Sequence, residues 1–231
     1  MGLLKNARVC DILIKTALNS LRRFIRMNDK WLDYAVKIQS IAQAGLQYGR
    51  DKFDIERYEE LCRVSAGMMA ERTGEDIGVI KGLFCNESGY HTPKVDTRAA
   101  VFSDGKILLV RENNGKWALP GGWCDVDMSV SGNAEKKVLE ETGCTVRVSG
   151  IIAVQDPRRH NVVNYACVVV KIFVLCIYVC GSFHDNIEMT EARFFDRESL
   201  PDELAVETTT REQILMCFDY NETENAQTLF D

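Results

Sequence analysis

The spacing of apolar side chains in the first third of the chain predicts two amphipathic helices. From Lys30 to about Tyr48, apolar residues recur three or four positions apart, which places them on one face of a helix. A second helix is predicted to begin at Asp54, whose side chain can cap it, and to end at Gly74. The two helices form a hairpin with apolar surface left over. Such a hairpin packs on a partner domain or subunit, or it serves as a structural appendage.

Beyond a predicted linker at residues 86–94, the pattern changes to short apolar runs that are typical of β-strands. Strands are predicted at 95–102, 107–110, 117–119, 146–154, 165–179 and 193–195. A helix is predicted over 130–142, in the middle of this series. Strands on both sides of one central helix indicate an α+β sandwich.

The C-terminal part of the chain is predicted to form a helix followed by a loose tail. Thr209 and Glu212 have the spacing of a capping box, so a helix is predicted from Thr209 to about Tyr220. Residues 221–231 are predicted to fray. The predicted organisation is therefore an N-terminal extension, a small helical domain and a larger α+β domain, with bounds at 1–28, 29–90 and 91–225.

Two apolar segments could be mistaken for membrane elements. Residues 1–27 have helical apolar spacing, but Arg and Lys interrupt them and no small-residue cleavage site follows, so a secretory signal is not predicted. Met27 is an alternative start. The segment 162–180 is very apolar, but Asn164 and Lys171 interrupt it and β-branched and aromatic residues dominate it. This composition favours a long buried strand over a membrane span.

Composition and charge narrow the class of protein. The 231 residues are 46% hydrophobic and 27% charged, which is typical of a globular protein with one core or one core plus an accessory domain. The net charge of -6 disfavours a nucleic-acid partner, which would select a basic face. Nine cysteines without a CxxC pair predict reduced thiols in a cytoplasmic protein rather than a disulfide framework.

The segment from Gly121 to Gly143 carries the candidate chemistry. The Gly121-Gly122 pair follows a short apolar strand and precedes the predicted helix, which ends in Glu140-Glu141-Thr142-Gly143. Positions three and four apart share a helix face, so the side chains at 137, 140 and 141 point the same way. Neighbouring carboxylates favour a divalent cation, and glycines let the backbone approach a metal–phosphate group closely. Without this setting, the glutamate pair would indicate only a solvated helix face.

This segment resembles the Nudix box, the signature of hydrolases that cut nucleoside diphosphates linked to another group. Aligned on the glycine that ends the helix, the pattern agrees at Gly122, Val138, Glu140, Glu141, Gly143 and Cys144. It departs at Met128, where the family has its first glutamate, and at Lys136, which replaces an arginine. Lys137 stands where the family has a third metal-facing glutamate. Its ammonium can pair with both carboxylates and occupy the space of the metal.

The resemblance extends beyond the box, over roughly residues 29–220. Residues 191–201 look like the later family segment in which a carboxylate assists metal binding or acts as base, a role that would fall to Glu191. The alternative for Glu191 is a surface glutamate before a strand. The helical unit, with residues 93–100 and 119–123, resembles a bacterial subgroup with an N-terminal Nudix-associated domain. That subgroup includes CDP-choline and ADP-ribose pyrophosphatases.

Three further residues are candidates for substrate contact. Arg158 and His160 lie in a basic segment between two strands, where they can meet substrate phosphates or form an ordinary solvent-facing loop. Trp123 follows the glycines and can stack on a base or pack the end of a strand. The residues alone do not decide between these alternatives.

The resemblance implies a Nudix-type α/β/α sandwich with a mixed sheet, and a metal-dependent pyrophosphohydrolase of CDP-choline or ADP-ribose type. Glu140, Glu141 and Glu191 would be catalytic, and Mg²⁺ or Mn²⁺ would be held by Glu140, Glu141 and Gly121. The partner would be a nucleoside diphosphate derivative, with neither nucleic acid nor membrane, and the assembly a homodimer. Lys137 motivates the alternative of a ligand-binding or regulatory protein that has lost efficient catalysis. A purely structural protein is the third possibility.

Overall fold

The computed structural model of the chain describes residues 30–84, 92–162, 168–184 and 187–231. The predicted extension over residues 1–28 and most of the predicted linker lie outside these ranges. Of the described residues, those up to Thr92 form one compact unit and those from Pro93 onward form the other.

Within residues 30–84, the first unit contains three helices, α1 (Lys30–Tyr48), α2 (Lys52–Thr73) and α3 (Ile77–Phe84). The two predicted helices are confirmed, but Asp54 is not the cap of α2. Asp51 caps it, because its carboxylate accepts from the backbone N–H of Phe53 at 2.9 Å and of Asp54 at 3.2 Å. Gly74 ends α2 in the left-handed conformation, as predicted.

Small side chains let the helices of the first unit approach closely. Ala35, Ala66, Met69 and Ile80 form its buried core. The hydroxyl of Ser65 donates to the carbonyl of Ala35 at 2.8 Å, which satisfies a polar group inside the contact. Large apolar side chains remain exposed on this unit, among them Trp31, Tyr34, Tyr48 and Phe53. The predicted uncovered apolar surface is therefore present.

The second unit is built on one mixed sheet, which confirms the predicted fold class. The strand order is β3-β2-β1-β6-β5-β8, with β4 paired to β1 and β7 paired to β2. The β1–β6 and β5–β8 pairs are parallel, and the other pairs are antiparallel. The strands are β1 (Lys94–Ser103), β2 (Lys106–Glu112), β3 (Trp117–Ala118), β4 (Gly121–Trp123), β5 (Cys144–Gln155), β6 (Val169–Gly181), β7 (Met189–Phe195) and β8 (Leu229–Phe230).

Helices cover both faces of this sheet. They are α4 (Val130–Thr142), α5 (Pro157–His160) and α6 (Arg211–Glu222), with one 3₁₀ turn at Arg197–Ser199. Alternation along β1 directs Ala99 and Val101 toward α4 and Ala100 toward α6. The two resulting cores place α4 on one face and α6 on the other, which is the predicted α/β/α arrangement.

The C-terminal segment differs from its prediction in two ways. The capping box of α6 uses Thr210 and Gln213 rather than Thr209 and Glu212. The hydroxyl of Thr209 instead accepts from the backbone N–H of Leu119 at 3.2 Å, inside the core. The predicted frayed tail is wrong, because β8 pairs with β5 and the side chain of Asp231 accepts from a backbone N–H at 2.7 Å.

Residues 169–180 of the long apolar run lie in strand β6, and residues 163–167 lie outside the described ranges. No helix in the described parts of the chain has the length and apolarity that a membrane crossing needs. Each cysteine that the structure describes is a free thiol, and Cys144, Cys176 and Cys217 are buried. The predicted strand and the predicted unpaired thiols are both found in these ranges.

Candidate active site

The glycine turn forms a short strand against the N-terminal half of β1. Gly121 pairs with Arg98, Gly122 with Thr97 and Trp123 with Asp96. Gly121 has φ of +141°, and a Cβ there would lie 2.0 Å from the carbonyl oxygen of Thr97. Only glycine fits this position, because any side chain would collide with backbone. The close approach brings the backbone of β4 directly under α4.

Helix α4 is joined to the glycine turn by a buried amide. The Asn133 side chain donates to the Thr97 hydroxyl at 2.8 Å and to the Trp123 carbonyl at 3.3 Å. Ser129 caps the start of α4, and Gly143 ends it with φ of +69°. The helix therefore has fixed ends and a fixed rotation, which determines where its last-turn glutamates point.

Glu141 is buried between α4 and β4. This residue is 5% exposed, and its Oε2 atom accepts a hydrogen bond from the backbone N–H of Gly121 at 3.1 Å. Burial raises the pKa of this carboxyl to about 7, against the opposing effects of the Arg98 charge and the Gly121 N–H. A carboxyl with a pKa near neutrality can hold or accept a proton under physiological conditions.

Glu140 lies between two ammonium groups. The Nζ of Lys137 is 3.1 Å from one of its carboxylate oxygens, and the Nζ of Lys136 is 3.6 Å from the other. Lys136 also contacts Asp125 at 2.6 Å. The predicted pairing of Lys137 with Glu140 is therefore present, and the charge of Lys137 also lowers the pKa of Glu141.

This arrangement does not fit a divalent cation as it stands. Within the described ranges, no three Asp, Glu, His or Cys side chains are grouped closely enough to hold a metal ion. Lysines neutralise Glu140, while Glu141 is a partly protonated acid that bonds the N–H of Gly121. The predicted set of Glu140, Glu141 and Gly121 would bind Mg²⁺ or Mn²⁺ only after Lys137 left its carboxylate partner.

The structure does not bring Glu191 to this pair of glutamates. Ala192 and Phe194 of β7 pack against the core under α4, so Glu191 projects from the opposite face of the sheet. There its carboxylate lies 3.8 Å from the guanidinium groups of both Arg111 and Arg193. The metal or base role of Glu191 stays a prediction, and its position between two arginines favours the alternative of a surface glutamate.

Glu188, in the bend before β7, is the acid that sequence reasoning missed. Its charge raises the pKa of Glu141, so the two carboxylates lie within electrostatic reach of each other. The available signal was an acidic residue in a polar segment between strands, three positions from Glu191. That signal does not distinguish the two residues without knowledge of which sheet face α4 covers.

Trp123 and helix α5 flank the same end of the sheet. In the strand register, Trp123 is opposite Asp96, Asp96 is opposite Lys171, and Lys171 is opposite Gln155. Gln155 is the last residue of β5 and leads into α5. Strands β4 and β5 are three strand spacings apart, so Trp123 and the start of α5 are separated by about 14 Å. Trp123 is 46% exposed, which leaves its ring accessible for stacking.

Both predicted basic residues of α5 have carboxylate partners. The guanidinium of Arg158 bonds Asp156 at 2.6 Å, and His160 Nε2 lies 2.8 Å from an oxygen of Asp231. A substrate phosphate would have to exchange with these carboxylates. Their role in substrate binding is still a prediction.

A buried lysine lies between these two sides. Lys171 is 1% exposed, and its ammonium donates to the Thr208 carbonyl and to Asn161 Oδ1, the latter at 3.3 Å, with Asp96 at 3.9 Å. Burial lowers its pKa to about 7, and the charge of Arg98 adds to this effect. In the sequence this lysine was only an interruption of an apolar run.

Comparison with known proteins adds independent information. Residues 29–84 match the family described as a UDP-X-like, N-terminal oligomerisation domain, and residues 93–215 match the NUDIX domain. The chain is 41% identical over 208 residues to the putative ADP-ribose pyrophosphatase YjhB of Bacillus subtilis, covering 90% of this chain and 100% of that protein. It is 31% identical over 121 residues to an ADP-ribose pyrophosphatase of Methanocaldococcus jannaschii, covering 48% and 67%.

Two solved structures are similar to this one. An ADP-ribose pyrophosphatase from Streptococcus suis gives a TM-score of 0.57 at 44% identity, covering 61% of this chain and 100% of that chain. A UDP-X diphosphatase gives a TM-score of 0.56 at 31% identity, covering 87% and 98%. Together with the glycine turn and the paired glutamates of α4, these matches show that the chain belongs to the Nudix hydrolase family and carries its UDP-X-like N-terminal domain.

Proposed function

We propose that this protein is a pyrophosphohydrolase that cuts a nucleoside diphosphate linked to another group, with ADP-ribose as the first candidate substrate. The observation that carries the proposal is the glutamate pair at the end of the helix of a NUDIX domain, in which Glu141 is buried and accepts a hydrogen bond from the glycine turn. Three of the similar proteins are named ADP-ribose pyrophosphatase, one of them as putative, which supports the choice of substrate.

In the proposed reaction, water attacks one phosphorus of the diphosphate and the bridging P–O bond breaks. The products are a nucleoside monophosphate and a phosphorylated partner. Glu141 supplies the proton acceptor near neutral pH, because the folded site holds its pKa in that range. Trp123 and α5 lie on two sides of the same sheet end, a separation that an extended nucleotide derivative can bridge. We therefore propose Trp123 for base stacking and Arg158 or His160 for the distal phosphate.

A substrate panel tests this proposal. Purified full-length protein is incubated with ADP-ribose, CDP-choline or UDP-glucose in EDTA, Mg²⁺ or titrated Mn²⁺, and nucleoside monophosphate is separated by chromatography. We expect AMP from ADP-ribose. The matched control is Glu141→Gln, which keeps the size of the side chain and removes the titrating group. Product no higher than that of Glu141→Gln under every condition contradicts the proposal.

The second candidate is a protein that binds such nucleotides without turning them over efficiently. The pairing of Glu140 with two lysines favours it, because a family carboxylate is thereby neutralised. Tight ADP-ribose binding by calorimetry, together with no product in the panel, would select this function over hydrolysis.

We also propose that the protein is a homodimer formed through its helical unit. Large aromatic side chains are exposed on α1, including Trp31 at 64%, and the matching family is described as an oligomerisation domain. Light scattering on the full chain tests this proposal, and a mass of one chain at micromolar concentration contradicts it.

A further inference from the structure

We propose that the ammonium of Lys137 is a resident cation of the site and binds a substrate phosphate directly, at the position where the Nudix box has a metal-facing glutamate. The inference assumes the proposed diphosphate ligand but not its hydrolysis. It predicts diphosphate binding without a divalent cation.

The aliphatic part of the Lys137 side chain lies beside the glycine turn. The Cδ and Cε atoms of Lys137 lie 4.0 Å from the position that a Cβ on Gly122 would occupy, so its aliphatic part packs over the turn. Its Nζ then meets Glu140 at 3.1 Å. A lysine whose ammonium is already held by an ion pair loses less conformational freedom when a ligand binds.

The ammonium of Lys137 is also accessible. Its side chain is 24% exposed, compared with 1% for the lysine buried in β6. An ammonium has three N–H donors, and the described contacts of Lys137 use one of them on Glu140. The remaining donors can bond phosphate oxygens, which are strong charged acceptors.

The charge of Lys137 weakens the attraction of this site for a divalent cation and provides a contact for an anion. A lysine in place of a glutamate changes the charge at position 137 by two units. Lys136 and Lys137 balance the charges of Asp125 and Glu140. A divalent cation at Glu140 would contact a like charge, whereas a phosphate oxygen would contact an opposite one.

Lys136 provides a matched control, because it directly precedes Lys137 in the same helix and carries the same charge. Its ammonium is held by Asp125 at 2.6 Å and lies farther from Glu140, at 3.6 Å. Lys136 therefore contacts two carboxylates, whereas Lys137 contacts one. Of the two lysines, only Lys137 lies beside Gly122 in the described contacts.

The experiment measures inorganic pyrophosphate binding by calorimetry, with the full-length protein in EDTA. We expect the wild-type protein and Lys137→Arg to bind, Lys137→Gln to lose about tenfold or more in affinity, and Lys136→Gln to lose less than about threefold. In Lys137→Glu, pyrophosphate binding in EDTA disappears, and Mn²⁺ uptake, followed by electron paramagnetic resonance, rises by about tenfold or more. Circular dichroism melting curves establish that each variant is folded.

Three results would overturn the inference. They are a wild-type protein that binds pyrophosphate only with Mn²⁺, equal affinities for wild type and Lys137→Gln, and equal Mn²⁺ uptake by wild type and Lys137→Glu. None of these measurements uses turnover. A failure of the hydrolase proposal is therefore distinguishable, because pyrophosphate binding that depends on Lys137 would persist in a protein that releases no AMP.

Discussion

Burial of Lys171 in β6 predicts that the second unit becomes more stable as the pH rises above 7. The pKa of this lysine falls from an ordinary value of 10.5 to about 7 because its side chain is buried. Between these two values the unfolded chain binds a proton that the folded protein does not, so folding carries a cost that shrinks as the pH rises. This contribution increases from about pH 7 and is complete above the unfolded pKa.

The size of the effect follows from the separation of the two pKa values. Each unit of pH between them changes the free energy of unfolding by up to about 1.4 kcal/mol, so the increase from pH 7 to pH 9 is about 2 kcal/mol. The effect corresponds to a rise in melting temperature of roughly 5 °C for a domain of this size. Asp96 and Glu207 raise the pKa and Arg98 lowers it, so these neighbours set the final value.

Lys171→Met isolates this contribution, because methionine fills a similar volume and does not titrate. Urea unfolding of both proteins is followed by tryptophan fluorescence at pH 7, 8 and 9 under reducing conditions. The variant loses donors to Asn161 and Thr208, which shifts its whole curve. We expect the difference between wild type and variant to change by about 2 kcal/mol in favour of the wild type from pH 7 to pH 9. Lys106→Met, at an exposed lysine, is the control.

Parallel stability curves for wild type and Lys171→Met would refute the reasoning. They would mean that Lys171 keeps an ordinary pKa despite its burial. Lys106→Met keeps Lys171, so its stability is expected to rise with pH in parallel with that of the wild type. A difference between wild type and Lys106→Met that changes with pH as much as the difference between wild type and Lys171→Met would show a general effect of removing a lysine.

Three further predictions concern the site and the helical unit. Gly121→Ala costs about 3 kcal/mol or more in urea unfolding, because its Cβ would meet the Thr97 carbonyl; a loss below about 1 kcal/mol contradicts this. In steady-state assays with ADP-ribose, Glu141→Gln lowers kcat by about 10² or more, whereas Glu191→Gln stays within about threefold; equal losses would restore Glu191 to the site. Trp31→Glu converts the proposed dimer into monomers in light scattering, and an unchanged mass places the interface elsewhere.

The local chemistry around the glycine turn could be predicted from the sequence. The bounds of α4, its terminating Gly143, and the positions of Lys137 and Glu140 on one helix face all depend on residues within a few positions of each other. Helical periodicity and capping act over that range, so the residue pattern suffices. Helices α1 and α2 were predicted for the same reason.

Other parts of the fold depend on partners far away in the chain. The predicted cap at Asp54 and the predicted start at Thr209 were each displaced because a nearby residue offers the same capping chemistry and long-range packing chooses between them. The tail forms β8 because β5 presents an open edge, a partner about 75 positions away.

By itself, the sequence determined that a glycine turn precedes a helix bearing Glu140, Glu141 and, at the position of a third family glutamate, Lys137. Only the tertiary structure decided which acid approaches Glu141. The register of β7 turns Glu191 away from α4, and the bend before that strand brings the charge of Glu188 within reach. Only the parallel pairing of β1 with β6 buries Lys171 beside Asp96. Strand pairing sets face and burial through distant contacts, which neighbouring residues do not encode.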